Sequence, residues 1–333
     1  MISLSHDELK PLVAQARLAP SVHNIQPSRW RHTDGGIELV GDPSRSIPVA
    51  DPEWRDWRLS HGASLEGLSL ALATRGLQIA SLELEAPRPI STSDPVQTIA
   101  RATFASLDRP SSSEPTESRA SWRGSFKPLD AETRWSLDRL AAARNDVVLI
   151  RGADAITDAA DLADRAGLFF LRDAGHRKEL LAWLRLSSSH PSYHRDGLNA
   201  EAMSLSAIEA WGAGLVLGPL FQTLDRVGLA APLVSERAKT VTAAAIVLFH
   251  RPKGEEAFVS GREFYRAWLE MERQGLKGCP MSVLADWDVA RDALALRHRV
   301  PPDRQVVSVF RIGRPNGTPK TARARLTVEE LLS

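Results

Sequence analysis

The sequence of 333 residues has only one cysteine, Cys279, and its 42 basic and 41 acidic residues nearly cancel. A single cysteine excludes an internal disulfide framework and any metal site built from several cysteines. A net charge of +1 provides no overall field that would collect nucleic acid or an anionic membrane. No apolar run reaches the length of a membrane span, and the first residues lack a signal-peptide pattern. We therefore expect a cytoplasmic protein with no nucleic-acid or membrane partner.

Hydrophobic residues make up 43% of the chain, enough to bury a large core. At the start, Ser5 and Glu8 have the spacing of a capping box and precede apolar residues at helical intervals, which predicts a helix over 5–18. Further helices are predicted at about 59–75, 130–143, 153–184, 257–276 and 284–298, and strands at 37–40, 78–84, 98–104, 147–150, 241–249 and 305–312. Strands mixed with longer helices predict an α+β fold, in which helices cover mixed sheets.

Two polar stretches interrupt this pattern. Residues 109–117 are bounded by prolines and almost free of apolar side chains, which is typical of a linker. They divide the chain into a part from 1 to 108 and a part from 118 to 333. Residues 187–204 are irregular and polar, and they are predicted to form a loop or a lid.

The segment Arg17–Pro27 combines backbone constraints with small polar side chains. Pro20 and Pro27 fix φ and lack a hydrogen-bond donor, so the chain leaves the first helix and stays extended or turned. Between them, residues such as Ser21 and Asn24 offer hydroxyl and amide groups. A flat heteroaromatic ligand with donors and acceptors on its edge would suit this loop. A plain connection from a helix to a strand would have the same composition, and the two readings stay open at this point.

This segment resembles the Pro-Ser-x-x-Asn-x-Gln-Pro signature of the FMN-dependent nitroreductases. Two further stretches resemble that family after the linker: Arg119–Phe126 reads Arg-Ala-Ser-Trp-Arg-Gly-Ser-Phe, and Gly275–Met281 reads Gly-Leu-Lys-Gly-Cys-Pro-Met. Basic residues near the end, Lys320, Arg323 and Arg325, complete the set. The chain is most similar to the single-chain tandem branch of the family, often called the Acg family.

In that family, subunits pair and hold the flavin at their interface. One subunit supplies the arginine run, the Gly-Leu turn and the basic tail, while the other supplies the Pro-Ser-x-x-Asn loop. Here the loop occurs only before the linker, and the other motifs occur only after it. The resemblance therefore implies two fused nitroreductase-like halves, the first of them degenerate, that form a pseudo-dimer with one FMN between them.

The resemblance also implies a role for each motif. Arg119, Ser121 and the two tail arginines would bind the phosphate, and Arg123 would stabilise the negative charge that builds on the pyrimidine edge of a reduced flavin. Backbone amides at the Gly-Leu turn would face N5 and O4. The predicted FMN-binding residues are Pro20, Ser21, Val22, Asn24, Arg119, Ser121, Arg123, Gly278, Cys279, Arg323 and Arg325. Hydride transfer needs no acid or base from the protein, so we expect no catalytic dyad and no metal.

The function that the resemblance implies is an FMN-dependent oxidoreductase. It would pass electrons from NAD(P)H to nitro compounds, quinones or similar small electrophiles, as a monomeric pseudo-dimer or a homodimer of it. The alternative is a flavoprotein that stores or sequesters FMN under a lid formed by 187–204. The sequence departs from the family pattern at Ser28, where a tryptophan is usual, and at Ala120, where a second arginine is common.

Two weaker signals are interpreted structurally. Gly212, Gly214 and Gly218 follow a helical pattern rather than a strand, so close helix packing is a better interpretation than a dinucleotide-binding turn. His190 and His194 are four residues apart, but Pro191 breaks the helix that would align them on one metal.

Overall fold

The computed structural model describes residues 2–86, 90–112, 114–318 and 323–333. Two four-stranded antiparallel sheets, each covered by helices, form the bulk of the protein, which confirms the α+β prediction. The first sheet and its helices comprise α1 His6–Ala16, β1 Ser28–Thr33, β2 Gly36–Gly41, α2 Arg55–Ala73, β3 Leu77–Leu84 and β4 Gln97–Ser106.

The second sheet is built with a long helical excursion. Its elements are α3 Ala131–Ala143, β5 Val147–Ile150, α4 Ala153–Arg172, α5 Ala174–Trp183, β6 Leu184–Arg185, β7 Leu198–Asn199, α6 Ala207–Leu217, α7 Phe221–Arg226, α8 Ala230–Val234, α9 Arg237–Thr240, β8 Ala245–Pro252, α10 Ala257–Arg273, β9 Lys277–Pro280, α11 Val283–Asp286, α12 Asp288–Arg297 and β10 Arg304–Gly313. A last helix, α13 Val328–Leu331, follows.

The two large sheets share one topology. Their strand orders are β1-β2-β4-β3 and β5-β8-β10-β9, so in each the third strand in sequence lies at the edge, beside the fourth. Each sheet also has a long helix between its second and third strands, α2 in the first and α10 in the second. The repeated order is what two fused halves of one fold would give. Helices α4 to α9 interrupt only the second sheet, between β5 and β8. Below, the first half means the chain up to the end of β4, and the second half means the chain after it.

The helices α2 and α10 pack against each other at the centre of the molecule, and glycines make their close approach possible. A Cβ atom on Gly62 would lie 1.9 Å from the carbonyl oxygen of Phe258, and one on Gly261 would lie 2.1 Å from that of Leu59. The two backbones therefore touch without intervening side chains. Beside this contact, the buried carboxylate of Glu66 on α2 forms ion pairs with two arginines of α10, Arg262 at 2.9 Å and Arg266 at 2.7 Å.

Local signals placed the first helix correctly. The Ser5 hydroxyl accepts a hydrogen bond from the Glu8 amide, and the Glu8 carboxylate accepts one from the Ser5 amide at 2.8 Å. The apolar face is buried as predicted, with Leu9 and Val13 fully enclosed. The helix ends at Ala16, two residues earlier than predicted.

Other element boundaries differ from the predictions for local reasons. Helix α2 begins at Arg55, because the carboxylate of Asp51 accepts a hydrogen bond from the Trp57 amide and stabilises a polar first turn. The strand predicted at 241–249 begins only at Ala245, since residues 241–244 form the turn that leaves α9. The helix predicted at 284–298 is two helices, because Trp287 has extended backbone angles.

The glycines of α6 do not serve close helix packing, which corrects the prediction for them. A Cβ on Gly212 would meet nothing within 4 Å, and one on Gly214 would meet only a side-chain atom of Leu186 at 3.4 Å.

Among the helices that the structure describes, none is long and apolar enough to span a membrane.

The last residues of the chain lie on the first sheet, although they follow the second sheet in sequence. The Ser333 amide donates to the Trp30 carbonyl at 2.9 Å, and the His32 amide donates to the Ser333 carbonyl at 2.8 Å. Leu326 and Leu332 join the hydrophobic core between β1 and α1. This path brings the tail arginines to the Pro-Ser-x-x-Asn loop.

Candidate functional site

A cavity of about 880 Å³ lies where the two halves meet, and both sets of motifs line it. The predicted residues on its wall are Pro20, Ser21, Val22, Asn24, Arg119, Ser121, Arg123, Cys279, Arg323 and Arg325. Gly278 is the exception: it lies behind the wall, where its carbonyl accepts a hydrogen bond from the Trp122 amide at 2.9 Å. Lys320 lies outside the described residues. The structure thus brings into one cavity segments about 100 and 300 residues apart.

The Pro-Ser-x-x-Asn loop has a strained backbone. His23, Asn24 and Gln26 have φ values of 42°, 56° and 51°, in the left-handed region that side chains with a Cβ rarely adopt. The Ser21 hydroxyl accepts a hydrogen bond from the Gln26 amide at 3.0 Å and helps to hold this shape. Such strain is concentrated at functional sites, because surrounding contacts must maintain it. A plain connection between a helix and a strand would not need it.

The arginine run lies beside the Gly-Leu turn. Ser121 forms a parallel bridge with Gly278, so the run lies beside β9 at the edge of the second sheet. This pairing fixes the backbone of the run, and Arg119, Ser121 and Arg123 all lie on the cavity wall.

Three arginines, Arg119, Arg323 and Arg325, meet at one end of the cavity. Within the described part of the chain, Arg119, Arg323 and Arg325 form no ion pair, and their hydrogen bonds go to neutral oxygens. Arg119 donates to the Leu18 carbonyl at 3.2 Å, and Arg325 donates to the Asn24 side chain at 2.6 Å. The Nε atoms of Arg119 and Arg323 are buried and have no partner.

The charges of these arginines oppose one another. Burial, together with the neighbouring Arg119, lowers the pKa of Arg325 to about 9 and that of Arg323 to about 10. Burial also lowers the pKa of Arg119. All three are still cationic at neutral pH, so the protein keeps close positive charges in a desolvated place at a cost to its stability. A phosphate would offset that cost, since it matches guanidinium groups in charge and in hydrogen-bonding geometry.

Arg123 lies farther along the wall, and a residue that the sequence analysis missed holds its segment. Arg311 on β10 is only 2% exposed and donates to the Arg123 carbonyl at 3.2 Å. It also donates to the Thr240 hydroxyl at 3.1 Å and to the Glu236 carboxylate at 3.0 Å. The sequence signal that could have identified Arg311 is a charged residue within an otherwise mostly apolar strand.

Two carboxyl groups, one from each half, line another part of the cavity. They belong to Asp56 on α2 and Asp286 on α11. Burial raises the pKa of both groups, and the charge of Asp56 raises that of Asp286 further. These residues are 230 positions apart in the sequence, and no spacing rule connects them. Arg55 lies 3.8 Å from the Asp286 carboxylate.

The segment 187–206 closes one side of the cavity with residues such as Leu198, Met203 and Leu205. It is mostly turns, as the sequence predicted. The Asn24 amide group donates to the Gly197 carbonyl at 3.0 Å, which ties the segment to the loop of the other half. Asp196 adds ion pairs to two arginines, Arg185 and Arg45, both at 2.8 Å.

Comparison with known proteins confirms the resemblance to nitroreductases, including Acg. No family model matches the chain. Two curated proteins of Mycobacterium tuberculosis strain H37Rv are similar to it. "Putative NAD(P)H nitroreductase acg" is 37% identical over 70 residues, and another protein named "putative NAD(P)H nitroreductase" is 36% identical over 72 residues. The matches cover 21% and 22% of this chain. The chain spans about a fifth (21%) of the length of each of these two curated relatives.

Solved structures with related folds are more distant. A structure of the FMN-dependent nitroreductase NfnB from Mycobacterium smegmatis in complex with NADPH has a TM-score of 0.35 and 18% identity, and it covers 64% of this chain and 93% of that one. A nitroreductase structure from Anabaena variabilis covers 95% of this chain and 90% of that one, with a TM-score of 0.42 and 11% identity. Because both scores are below 0.5, these overlays support no inference about ligands.

Proposed function

We propose that the chain is an FMN-dependent oxidoreductase that passes electrons from NAD(P)H to nitro compounds, quinones or similar small electrophiles. Its two halves would be residues 1–108 and 118–333, joined by 109–117, with one FMN between them. The observation that carries the proposal is the cavity itself. The buried Arg119 and the half-buried Arg323 and Arg325 lie there without ion-pair partners among the described residues, beside the strained Pro-Ser-x-x-Asn loop of the other half. The relatives named above support the reaction class.

The cavity residues fit FMN in charge and in kind. Arg119, Arg323 and Arg325 would hold the phosphate, with the Ser121 hydroxyl as a further donor. Arg123, whose Nε atom is buried without a partner, would stabilise negative charge on the pyrimidine edge. When bound, FMN supplies reversible two-electron chemistry that protein side chains lack. The backbone contact predicted at the Gly-Leu turn falls to Cys279, because Gly278 lies behind the wall.

Flavin stoichiometry tests this proposal most directly. The purified protein should be yellow, and denaturation should release one mole of FMN per mole of chain. We expect one flavin because one cavity combines the loop with the arginines. Two flavins per chain, or a colourless protein that binds no added FMN, would contradict the proposal.

Arginine variants test the site assignment. We expect Arg119→Ala and Arg123→Ala each to weaken FMN binding by about 1.5–3 kcal/mol, because each loses a charged hydrogen bond. Asn24→Ala should have a smaller effect, since its side chain is neutral. Arg134→Ala, on the exposed side of α3, is the matched control and should leave the affinity unchanged. Fluorescence titration of the apoprotein with FMN measures all four values. Wild-type affinity in both arginine variants would refute the assignment.

A second candidate function is FMN storage, and the contacts of 187–206 favour it specifically. Ties through Asn24 and Asp196 hold this segment across the cavity, where it would restrict access of a nicotinamide. Anaerobic stopped-flow mixing with NADPH or NADH separates the two functions: rapid bleaching of the flavin supports the reductase, and resistance for minutes supports storage. In the second case, Asp196→Asn should accelerate bleaching, because it weakens both ion pairs of the segment.

A further inference from the structure

Part of the cavity wall is not explained by the FMN motifs. Helices α4 and α5 supply it, together with the segment 187–206, and its side chains are mostly apolar: Gly167, Leu168, Leu171, Leu180, Leu198 and Met203. A cavity of about 880 Å³ is near the upper end of the usual range for one small ligand, so a second molecule has room beside the first. We refer to the part lined by these six residues as the apolar compartment.

Two histidines, one from each half, stand out on this largely apolar wall. His23 comes from the strained loop and His176 from α5, and both line the cavity. Burial and the positive charge on Arg123 lower the pKa of His23, and charge on His176 acts in the same direction. Nδ1 of His23 is buried without a partner. In the described ranges, neither imidazole ring forms a hydrogen bond.

Separate contacts position the backbone of His23 and the ring of His176. The backbone of His23 is fixed in the left-handed region by its loop. The ring of His176 stacks on Phe170, with centroids 5.0 Å apart and planes at 24°. The Glu179 carboxylate, one turn later on α5, accepts hydrogen bonds from the amides of Val49 and Ala50 at 2.9 and 2.8 Å. This contact docks α5 onto the first half and keeps both rings on the shared wall.

The protonation state of the two imidazole rings determines which ligands they can bind. Burial, with the charge of Arg123, lowers the pKa of His23 to about 4, and burial lowers that of His176 as well. Both are therefore neutral at pH 7, and each offers one N–H donor and one acceptor. A neutral donor beside apolar walls suits an oxygen atom on an uncharged ring. An anionic ligand would gain little there and would favour the arginines instead.

We propose that His23 and His176 are specificity-determining residues that donate hydrogen bonds to the oxygens of uncharged aromatic acceptors held in the apolar compartment. This inference rests on the proposed function, because it assigns the electron acceptor to the part of the cavity beside the FMN residues. The two neutral histidines and the apolar compartment would favour uncharged electron acceptors over charged ones.

Equilibrium dialysis of the oxidised protein, without nicotinamide, tests the inference. The probes are duroquinone, 4-nitrobenzamide and its anionic counterpart 4-nitrobenzoate. Wild-type protein should bind the two neutral probes more tightly than the anion. His176→Phe keeps a stacking ring without nitrogens, and His23→Gly removes the ring at a position whose left-handed backbone glycine tolerates. Each should weaken the neutral probes about 3- to 10-fold, as expected for one neutral hydrogen bond, and leave 4-nitrobenzoate and flavin content unchanged.

His298→Phe, at the end of α12 and away from the cavity wall, is the control and should bind like wild type. If His176→Phe fails to fold, His176→Leu, which also lacks a side-chain donor, replaces it with the same expected loss. Unchanged affinity for both neutral probes in the His23 and His176 variants, or a wild-type preference for 4-nitrobenzoate, would overturn the inference. Dialysis measures probe binding and thereby tests this inference. Flavin content is measured separately, and a protein without flavin would refute the proposed function.

Discussion

Replacing Gly261 with alanine is expected to destabilise the protein by about 3 kcal/mol or more. The added Cβ would lie 2.1 Å from the Leu59 carbonyl oxygen, which belongs to the backbone of α2 and cannot rotate away. The two central helices must therefore move apart, and overpacking of this kind costs about 1–3 kcal/mol even where side chains can adjust. Urea denaturation followed by circular dichroism measures the change.

Gly62→Ala should have a similar effect, because its Cβ would lie 1.9 Å from the Phe258 carbonyl oxygen at the same crossing. The double variant should cost less than the sum, since one separation of the helices relieves both clashes. Gly212→Ala is the matched control: it also replaces a glycine inside a helix, but into open space. It should stabilise the protein by about 0.5–1 kcal/mol. Equal stability of Gly261→Ala and wild type would refute the backbone contact.

The crossing also bears on the candidate site. Helix α2 contributes Asp56, Leu59 and Ser60 to the cavity wall, and α10 contributes Phe264 and Trp268. If the helices separate, these two parts of the wall move relative to each other. We therefore expect Gly261→Ala to weaken FMN binding as well as folding, whereas Gly212→Ala should leave FMN binding unchanged.

What could be predicted from the sequence is what neighbouring residues determine. The capping box of Ser5 and Glu8 depends on contacts within one turn, and it predicted α1 almost to the residue. The motif residues were found because each motif is a short run with its own pattern. Their assembly followed from the resemblance, which implied that one set completes the other.

The residues that were missed are those whose roles arise only from the folded chain. Asp56 and Asp286 come from different halves, and each is unremarkable in its own segment. His176 lies in an ordinary helix, and only its place on the same cavity wall as His23 makes it a candidate. The close approach at Gly261 also escaped the sequence, because a glycine inside a helix shows nothing of what packs against it. The start of α2 was missed because the carboxylate that accepts from its first turn, Asp51, lies four residues before the helix.

A further large effect is expected on acidification, through His61. This residue of α2 is fully buried, with Nδ1 2.8 Å from the Ser28 hydroxyl and its ring 4.1 Å from that of Trp57. Burial, together with the charges of Arg29 and Arg58, lowers its pKa from 6.5 to about 3. Below pH 6.5, His61 therefore binds a proton in the unfolded chain but stays neutral in the folded protein. The free energy of unfolding should fall by about 1.4 kcal/mol per pH unit from this group.

Between pH 6.5 and 4.5 the loss from His61 amounts to about 2 kcal/mol by the same relation, because the unfolded residue is already half protonated at pH 6.5. Well above pH 6.5 the group is neutral in both states, and the curve should be flat with respect to it. His61→Asn keeps a side chain that can hydrogen bond to Ser28 but cannot take up a proton, so its stability should fall less steeply over this range. Urea denaturation at half-unit pH intervals gives both curves. Parallel curves would show that the folded protein admits the proton, and that water or a rearrangement of α2 solvates the charged ring.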